Sequence, residues 1–180
     1  MVSNPLSSEA FDSPFGPILV VGSELGIVAV ELNTAEPLDT RRQAHAEGLG
    51  QPVLATSTGT IRKAVHQLTS YLEGGRKHFA FDIDLRGTPF QRRVWEALAL
   101  IPYGETRSYQ QVAHYLGRPK SVRAVANACG QNPIPLVIPC HRVVASDGGL
   151  GGFSAGLSLK RRLLNLESGD TSHLPLFEMA

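Results

Sequence analysis

The chain has 180 residues, of which 42% are hydrophobic and 18% are charged. This length and composition suit one large domain or two small ones with a packed core, and they exclude wholesale disorder. The net charge is only +1, but residues 86–162 carry 11 basic and 3 acidic side chains, while residues 1–85 carry 6 and 10 and residues 163–180 carry none and 3. A basic middle between acidic flanks indicates either a surface for a polyanion or an ordinary solvated face.

The expected cellular compartment is inferred from the absence of targeting and membrane-spanning patterns and from the small number of cysteines. Its first residues show no basic region followed by an apolar run, so we expect no secretory signal. No stretch approaches the roughly 18 apolar residues that cross a bilayer, so we expect no membrane partner. Two cysteines, Cys129 and Cys140, do not make a disulfide framework. We therefore expect a reducing cytoplasm, and the sequence leaves a pairing of the two thiols open.

The first half of the chain predicts a small α/β domain. Residues 15–33 form two apolar, β-branched runs around the turn sequence GSELG, which predicts a hairpin. Residues 34–56 show no clear periodicity. Residues 79–85 alternate apolar and polar side chains, which predicts a half-buried strand. Between these segments a helix ending at Gly74-Gly75 is predicted from apolar residues spaced by four, three and four positions, namely Ile61, Val65, Leu68 and Leu72.

A domain boundary is predicted at Arg86-Gly87, where the charge balance changes. This divides the chain into residues 1–86 and residues 87–180. Thr88 followed by Pro89 predicts the N-cap and first residue of a helix. The apolar face of that helix consists of Phe90, Val94, Trp95, Leu98 and Ile101.

Two short helices are predicted next, over residues 108–116 and 121–129, each with a serine at its N-cap. Two helices joined by a glycine-containing turn are typical of a helix-turn-helix, although helical hairpins are also common in plain cores. Small residues such as Ser121 and Ala124 permit close approach to a DNA groove or, equally, to another helix. Basic side chains cluster at the turn, where a helix N-terminus also favours phosphate: Arg118, Lys120 and Arg123.

The most informative stretch places Cys140 next to His141, after an apolar run that contains three prolines. A thiol ordinarily titrates near ~8.5, so little of it is thiolate at neutral pH. An imidazole can take its proton, and prolines stiffen the approach to the sulfur. Residues adjacent in sequence need not touch, so this pair alone identifies no function.

Together these features resemble the O6-alkylguanine-DNA alkyltransferases, also called methylated-DNA–protein-cysteine methyltransferases. The resemblance is close over residues 84–167 and general before them. Its motifs are the run Pro139-Cys140-His141-Arg142-Val143, Asn132-Pro133, Ser108-Tyr109, Arg123, and residues 151–156 followed by a helix that ends in Glu167. The implied fold is a ribonuclease H-like α/β domain with a small antiparallel sheet and a helix, followed by a mainly α domain with a winged helix-turn-helix.

The resemblance implies catalytic roles for five residues. Cys140 would accept the alkyl group, His141 would activate it through a bound water, and Glu167 would orient His141. Asn132 would brace the hinge before the active-site loop. Tyr109 would donate a proton to guanine N3 and crowd the DNA backbone.

The resemblance also implies how DNA is held. The nucleotide must leave the duplex, and Arg123 would fill the gap that it leaves. Ser121, Ala124, Arg118 and Lys120 would face the DNA with Tyr109. The substrate pocket would be formed by Pro135, Val143, Phe153, Ser154 and Ala155. The product is a thioether with no carbonyl for water to attack, so the protein would act once; O4-alkylthymine is left open as a second substrate.

Three departures from the family pattern matter. Phe153 stands where many members have tyrosine, which gives the hydroxyl of Ser154 more weight. Ala155 stands where some members have glycine, which alters the room for bulky alkyl groups. Some members bind zinc through N-terminal cysteines, but residues 1–128 contain none, so we expect no metal and no cofactor. We expect a monomer on double-stranded DNA, with clustering along DNA left open.

Two other functions compete with alkyl transfer. A papain-like cysteine hydrolase is disfavoured because its signature around the cysteine is absent and the basic helix pair would be unexplained. A DNA-binding module that only senses lesions is disfavoured because such relatives lack the reactive cysteine, whereas Cys140 is present.

Overall fold

The computed structural model describes residues 4–32 and 36–169. An N-terminal part is built on a four-stranded sheet with two helices, and a mainly helical part follows it. The predicted order of an α/β domain and then a mainly α domain is therefore confirmed. Among the described residues, no helix is long and apolar enough to cross a membrane.

The N-terminal sheet has the strand order β3-β2-β1-β4. Strands β1 (Leu6–Phe11), β2 (Ile18–Gly22) and β3 (Ile27–Leu32) are antiparallel, and the short β4 (Val53–Leu54) joins β1 in parallel. The predicted hairpin is confirmed as β2 and β3, whose apolar runs are almost wholly buried. The sequence did not predict β1, because its polar residues interrupt the apolar pattern.

Two helices accompany this sheet. The predicted one is α2 (Gly59–Leu72), which is capped by Thr58 and packs on β1 and β2 through its apolar face. The other, α1 (Leu38–Leu49), was not predicted. None of its residues is buried, so it has no apolar period from which a sequence could reveal it.

The segment of residues 79–85 is not a strand, contrary to the prediction. It meets the sheet at a single bridge, where Ile27 N donates to Asp82 O at 2.9 Å and Asp84 N donates to Ile27 O at 2.8 Å. The alternation has another cause, because Phe79 and Phe81 pack together against the core while the side chain between them faces outward. An extended connection anchored by aromatic side chains thus mimics the period of a strand.

The C-terminal part contains the predicted helices α3 (Pro89–Ala99), α4 (Tyr109–Tyr115) and α5 (Val122–Gly130). Thr88 and Ser108 form full capping boxes with glutamines three residues later. Ser121 is the N-cap residue of α5, as predicted, but its side chain makes no capping hydrogen bond and its backbone (φ −96°, ψ 24°) is not extended.

A small parallel sheet completes the helix-turn-helix. It pairs β5 (Arg107–Ser108) with β6 (Val143–Val144), and the loop of residues 145–156 then leads into α6 (Leu157–Ser168). The last turn of α6 packs on the loop after α3, where Tyr103 OH donates to Leu166 O at 3.3 Å. One hydrophobic cluster continues from the sheet through α2, α3 and α5 to α6, and it holds these elements around the segment that carries Cys140.

Candidate active site

Cys140 begins a one-turn 3₁₀ helix, Cys140–Arg142, at the end of the proline-rich loop. Asn132 braces this loop, because its Nδ2 donates to Ile138 O at 2.7 Å and lies 3.1 Å from Cys140 Sγ. Its Oδ1 accepts from Ile134 N at 3.0 Å. Pro133 O accepts from Val30 N of β3 at 2.9 Å, so the N-terminal sheet also holds the loop.

The sulfur of Cys140 is buried, and burial raises the pKa of the thiol. The Asn132 hydrogen bond and the positive charge of Lys160 act in the opposite direction, together with backbone N–H groups at residues 140 and 141. The site thus keeps the thiol protonated at rest and surrounds it with groups that stabilise a thiolate once the proton leaves.

Glu167 is the hub of a buried polar network beneath Cys140. His141 Nε2 lies 2.8 Å from Glu167 Oε1, and Arg142 donates to both carboxylate oxygens, from Nε to Oε2 at 2.8 Å and from a terminal nitrogen to Oε1 at 2.9 Å. Gly104 N donates to Oε2 at 3.0 Å. Tyr71, from α2 of the N-terminal part, also donates its hydroxyl to this carboxylate.

These contacts fix the charge states of the pair. Burial alone would raise the pKa of Glu167, but hydrogen bonds from His141 and Arg142 outweigh it and hold that pKa at about 2. Burial lowers the pKa of His141 despite the neighbouring carboxylate, so the ring is neutral at pH 7. With Nε2 bound to Glu167, the other ring nitrogen of His141, Nδ1, is buried without a hydrogen-bond partner among the described residues.

Lys160 is a site residue that the sequence did not reveal. Its side chain is fully buried on α6, and its ammonium donates to three backbone carbonyls, of Val143, Leu150 and Gly152. Burial lowers its pKa, while negative charge at Cys140 and Cys129 would raise it. The only sequence signal was a basic residue in a helix, which is ordinarily solvated.

A cavity of about 210 Å³ opens onto Cys140. One wall is α5, and the other is the start of α4 together with the loop before α6. Tyr109 lies on this second wall, and its hydroxyl donates to Gly152 O at 3.3 Å. The cavity is lined by Tyr109, Ala126, Asn127, Cys129, Gly130, Cys140, Gly152 and Phe153.

The structure brings only part of the predicted substrate pocket to this cavity. Phe153 lines it, and Val143 is buried in β6. Pro135, Ser154 and Ala155 instead line a neighbouring cavity of about 410 Å³ against β3 and α1. In this conformation they are therefore separated from the wall that carries Tyr109.

The predicted DNA-facing residues lie on one surface of the helix pair. Arg123 and Ala124 are exposed on the first turn of α5, and Arg118 and Lys120 are exposed in the turn before it. Ser121 is half-buried at the start of the helix. The helix that presents Arg123 to solvent is thus the helix whose last two turns form a wall of the Cys140 cavity.

Within residues 4–32 and 36–169, no group of three or more histidine, cysteine or acidic side chains could hold a metal ion. Neither Cys129 nor Cys140 is in a disulfide.

Comparisons with known proteins agree for both parts of the chain. Residues 7–85 match the model of the 6-O-methylguanine DNA methyltransferase ribonuclease-like domain, and residues 89–169 match that of its DNA binding domain. The methylated-DNA–protein-cysteine methyltransferase of Mycobacterium tuberculosis is 42% identical over 168 residues, which cover 93% of this chain and 96% of that protein. Its namesake from Methanosarcina barkeri is 38% identical over 162 residues, covering 90% and 97%.

Solved structures give the same relationship. Mycobacterium tuberculosis OGT in complex with DNA superposes with a TM-score of 0.77 at 38% identity, covering 91% of this chain and 93% of that one. The O6-methylguanine-DNA methyltransferase of Pyrococcus kodakaraensis gives 0.67 at 29% identity, covering 90% and 98%. The chain therefore belongs to the 6-O-methylguanine DNA methyltransferase family, and its enzyme class is methylated-DNA–protein-cysteine methyltransferase.

Proposed function

We propose that this protein repairs DNA by moving the alkyl group from O6 of an alkylated guanine onto Cys140, once per molecule. The observation that carries the proposal is the position of Cys140. Its sulfur lies at a cavity whose facing wall is the second helix of the helix-turn-helix. A base swung out of a duplex bound on that helix could enter this cavity directly.

The polar network supplies the activation. With Nε2–H donating to Glu167, Nδ1 of His141 is a free base in a buried site. A buried ring nitrogen requires a partner, and a water between Nδ1 and the thiol would supply one. The thiol proton would pass through that water to Nδ1 as the sulfur attacks the alkyl carbon. The bond between the alkyl carbon and O6 then breaks, leaving the electron pair on guanine.

Guanine leaves more readily if its ring gains a proton as charge develops. We assign that donation to Tyr109, whose hydroxyl lies on the cavity wall. Phe153 would pack on the bound base. Ser154 and Ala155 would reach the base only if the loop of residues 145–156 shifts from its present position, and Pro135 only if the proline-rich loop before Cys140 moves as well. Val143 would pack beneath the cavity.

DNA would be held through the exposed surface of the helix pair. Arg118, Lys120 and the start of α5 at Ser121 would position the phosphates, and Ala124 would allow close approach. Arg123 would enter the base stack and offset part of the few kcal/mol that extrusion of the nucleotide costs. Few side chains on α5 read base edges, so sequence selectivity would be low, and O4-alkylthymine presents the same kind of alkyl carbon for attack.

The reaction would not regenerate the protein, because a thioether offers water no carbonyl to attack. We further propose that residues 1–86 and 87–180 act as two domains of a monomer. That monomer would work in a reducing cytoplasm.

The test is a time course with an excess of duplex DNA that contains O6-methylguanine. We expect repair to stop at one lesion per protein molecule. Cys140→Ala should repair nothing yet bind the duplex as tightly as the wild type, because the contacts of α5 do not need the sulfur. Continued turnover would refute single use, and repair by Cys140→Ala would refute the acceptor.

A further inference from the structure

The Cys140 cavity contains a second thiol that has no role in alkyl transfer. Cys129 lies near the C-terminal end of α5, is buried, and lines the same cavity as Cys140. Both thiols are free. Within the described residues they are the two cysteines of the chain, and both are at one small site.

A single residue connects the two cysteines. Asn132 donates its backbone N–H to Cys129 O at 3.3 Å, while its side-chain Nδ2 contacts Cys140 Sγ at 3.1 Å. The end of α5 and the start of the 3₁₀ helix are therefore held on two sides of one asparagine. A disulfide requires Cα atoms roughly 4.4–6.8 Å apart, and the two segments that carry these cysteines border the same small cavity.

The charge in the cavity favours ionisation of one of the two sulfurs. The Lys160 ammonium contacts three carbonyls and no carboxylate, and its positive charge acts on both thiols. Burial, with a smaller contribution from negative charge at Cys140, raises the pKa of Cys129 to about 12. Cys140 has the Asn132 hydrogen bond that Cys129 lacks. Cys140 is thus the sulfur that ionises, and Cys129 stays protonated as its partner.

We propose that a hydroperoxide converts Cys129 and Cys140 into a reversible intramolecular disulfide that blocks the alkyl acceptor. The Cys140 thiolate attacks the peroxide, an S–O bond forms and the O–O bond breaks. The departing oxygen takes up the proton that Cys140 released and leaves as water from hydrogen peroxide, or as an alcohol from an organic hydroperoxide. Cys129 then attacks the sulfenic sulfur, the S–S bond forms, and the hydroxyl leaves as water with the Cys129 proton. Both thiols are oxidised by one hydroperoxide, which is reduced.

Formation of this disulfide would protect Cys140 from irreversible oxidation. A sulfenic acid without a resolving thiol proceeds to sulfinic and sulfonic acids, which ordinary reductants do not reverse. A cavity open to a nucleobase admits a hydroperoxide, so Cys140 is exposed to this damage. The consequence for repair rests on the proposed function, whereas disulfide formation can be measured without DNA.

The experiment treats the full-length reduced protein with hydrogen peroxide and follows its intact mass. We expect the loss of two hydrogen atoms and, after digestion without reductant, one linked peptide pair that contains Cys129 and Cys140. Dithiothreitol should then restore nearly all of the methyl acceptance of the untreated sample. Gain of two or three oxygens on Cys140 without any linked pair would overturn the proposal.

Cys129→Ser and Cys129→Ala serve as matched variants, each compared with its own untreated sample. Both should gain oxygens on Cys140 and lose methyl acceptance that dithiothreitol does not restore. Full recovery by either variant would also overturn the proposal. If untreated wild-type protein takes no methyl from DNA but still forms the linked pair, the proposed function fails and the disulfide stands.

Discussion

Tyr71 and Glu167 are 96 positions apart in the chain, yet the hydroxyl of Tyr71 donates a hydrogen bond to the Glu167 carboxylate. Tyr71 belongs to α2 of the N-terminal part, and Glu167 lies at the end of α6. The tyrosine is fully buried, and its hydroxyl also lies 3.3 Å from His141 Nε2. The N-terminal part thus contributes directly to the polar network beneath Cys140.

Replacement of Tyr71 by phenylalanine should therefore weaken the network without dismantling it. Glu167 would keep Arg142, His141 and Gly104 as partners. We expect the free energy of unfolding to fall by about 1.5–3 kcal/mol, the range for a lost hydrogen bond to a charged group. Because those partners remain, methyl transfer should slow less than about tenfold, which corresponds to about 1.4 kcal/mol in the activation free energy. Urea unfolding and single-turnover rates measure both; Tyr115→Phe, an exposed tyrosine on α4, should change neither.

Asn132→Asp separates the acceptor function of the Asn132 side chain, which holds the loop, from its donor function toward Cys140. An aspartate keeps an acceptor for Ile134 N but loses the donor to Ile138 O and Cys140 Sγ, and it places a negative charge beside the thiol. We expect the pKa of Cys140 to rise, so that iodoacetamide labels the thiol more slowly at pH 7. Labelling at the wild-type rate, in a variant that circular dichroism shows to be folded, would remove Asn132 from thiol activation.

Stability should fall on acidification in two stages. The pKa of His141 lies below its ordinary 6.5 in the folded state, so its contribution is present above pH 6.5 and is lost as the pH falls. Glu167 adds a second loss between its ordinary 4.5 and about 2. At about 1.4 kcal/mol per unit, this second stage amounts to roughly 3 kcal/mol.

Urea denaturation at a series of pH values measures this profile. Glu96→Gln, which alters an exposed carboxylate on α3, should keep both stages. A free energy of unfolding that stays flat from pH 7 to pH 3 would show that the His141–Glu167 pair is not charged as described.

Arg123→Ala tests the role of α5 in extruding the base. We expect repair of O6-methylguanine in duplex DNA to fall about 10- to 100-fold, because a share of the few kcal/mol of unstacking is no longer offset. Reaction with the free base O6-methylguanine should change less than about twofold, since it needs no extrusion. Arg62→Ala, at an exposed arginine on α2, is the matched control. Equal losses on duplex and free base would exclude base extrusion as the role of Arg123.

The sequence predicted those elements whose side chains repeat with a clear period. The helix marked by Ile61 and Leu68 and the hairpin of residues 15–33 belong to this class, because each buries a continuous apolar face. The helix α1 was not predicted because it buries none of its residues. A strand was wrongly predicted over residues 79–85 because two phenylalanines alternate with exposed positions.

The residues of the candidate active site also fall into those that the sequence predicted and those that it did not. Cys140, His141, Glu167 and Asn132 come together as the family motif implied. Tyr71 and Lys160 could not be found from local pattern, because each acts through contacts between distant segments. In sequence, Tyr71 is one more apolar residue of a helix face, and Lys160 is one basic residue among three in a row. What sets them apart from ordinary helix residues appears only in the structure: the Tyr71 hydroxyl is buried against the Glu167 carboxylate, and the Lys160 ammonium is buried among backbone carbonyls.

Peptide mapping after reaction with duplex O6-methylguanine DNA tests the central claim most directly. We predict one added methyl group per molecule, located entirely on the sulfur of Cys140, with Cys129 unmodified and the guanine restored. An unchanged protein mass despite tight binding to the lesion, or a methyl group on any other residue, would contradict the account.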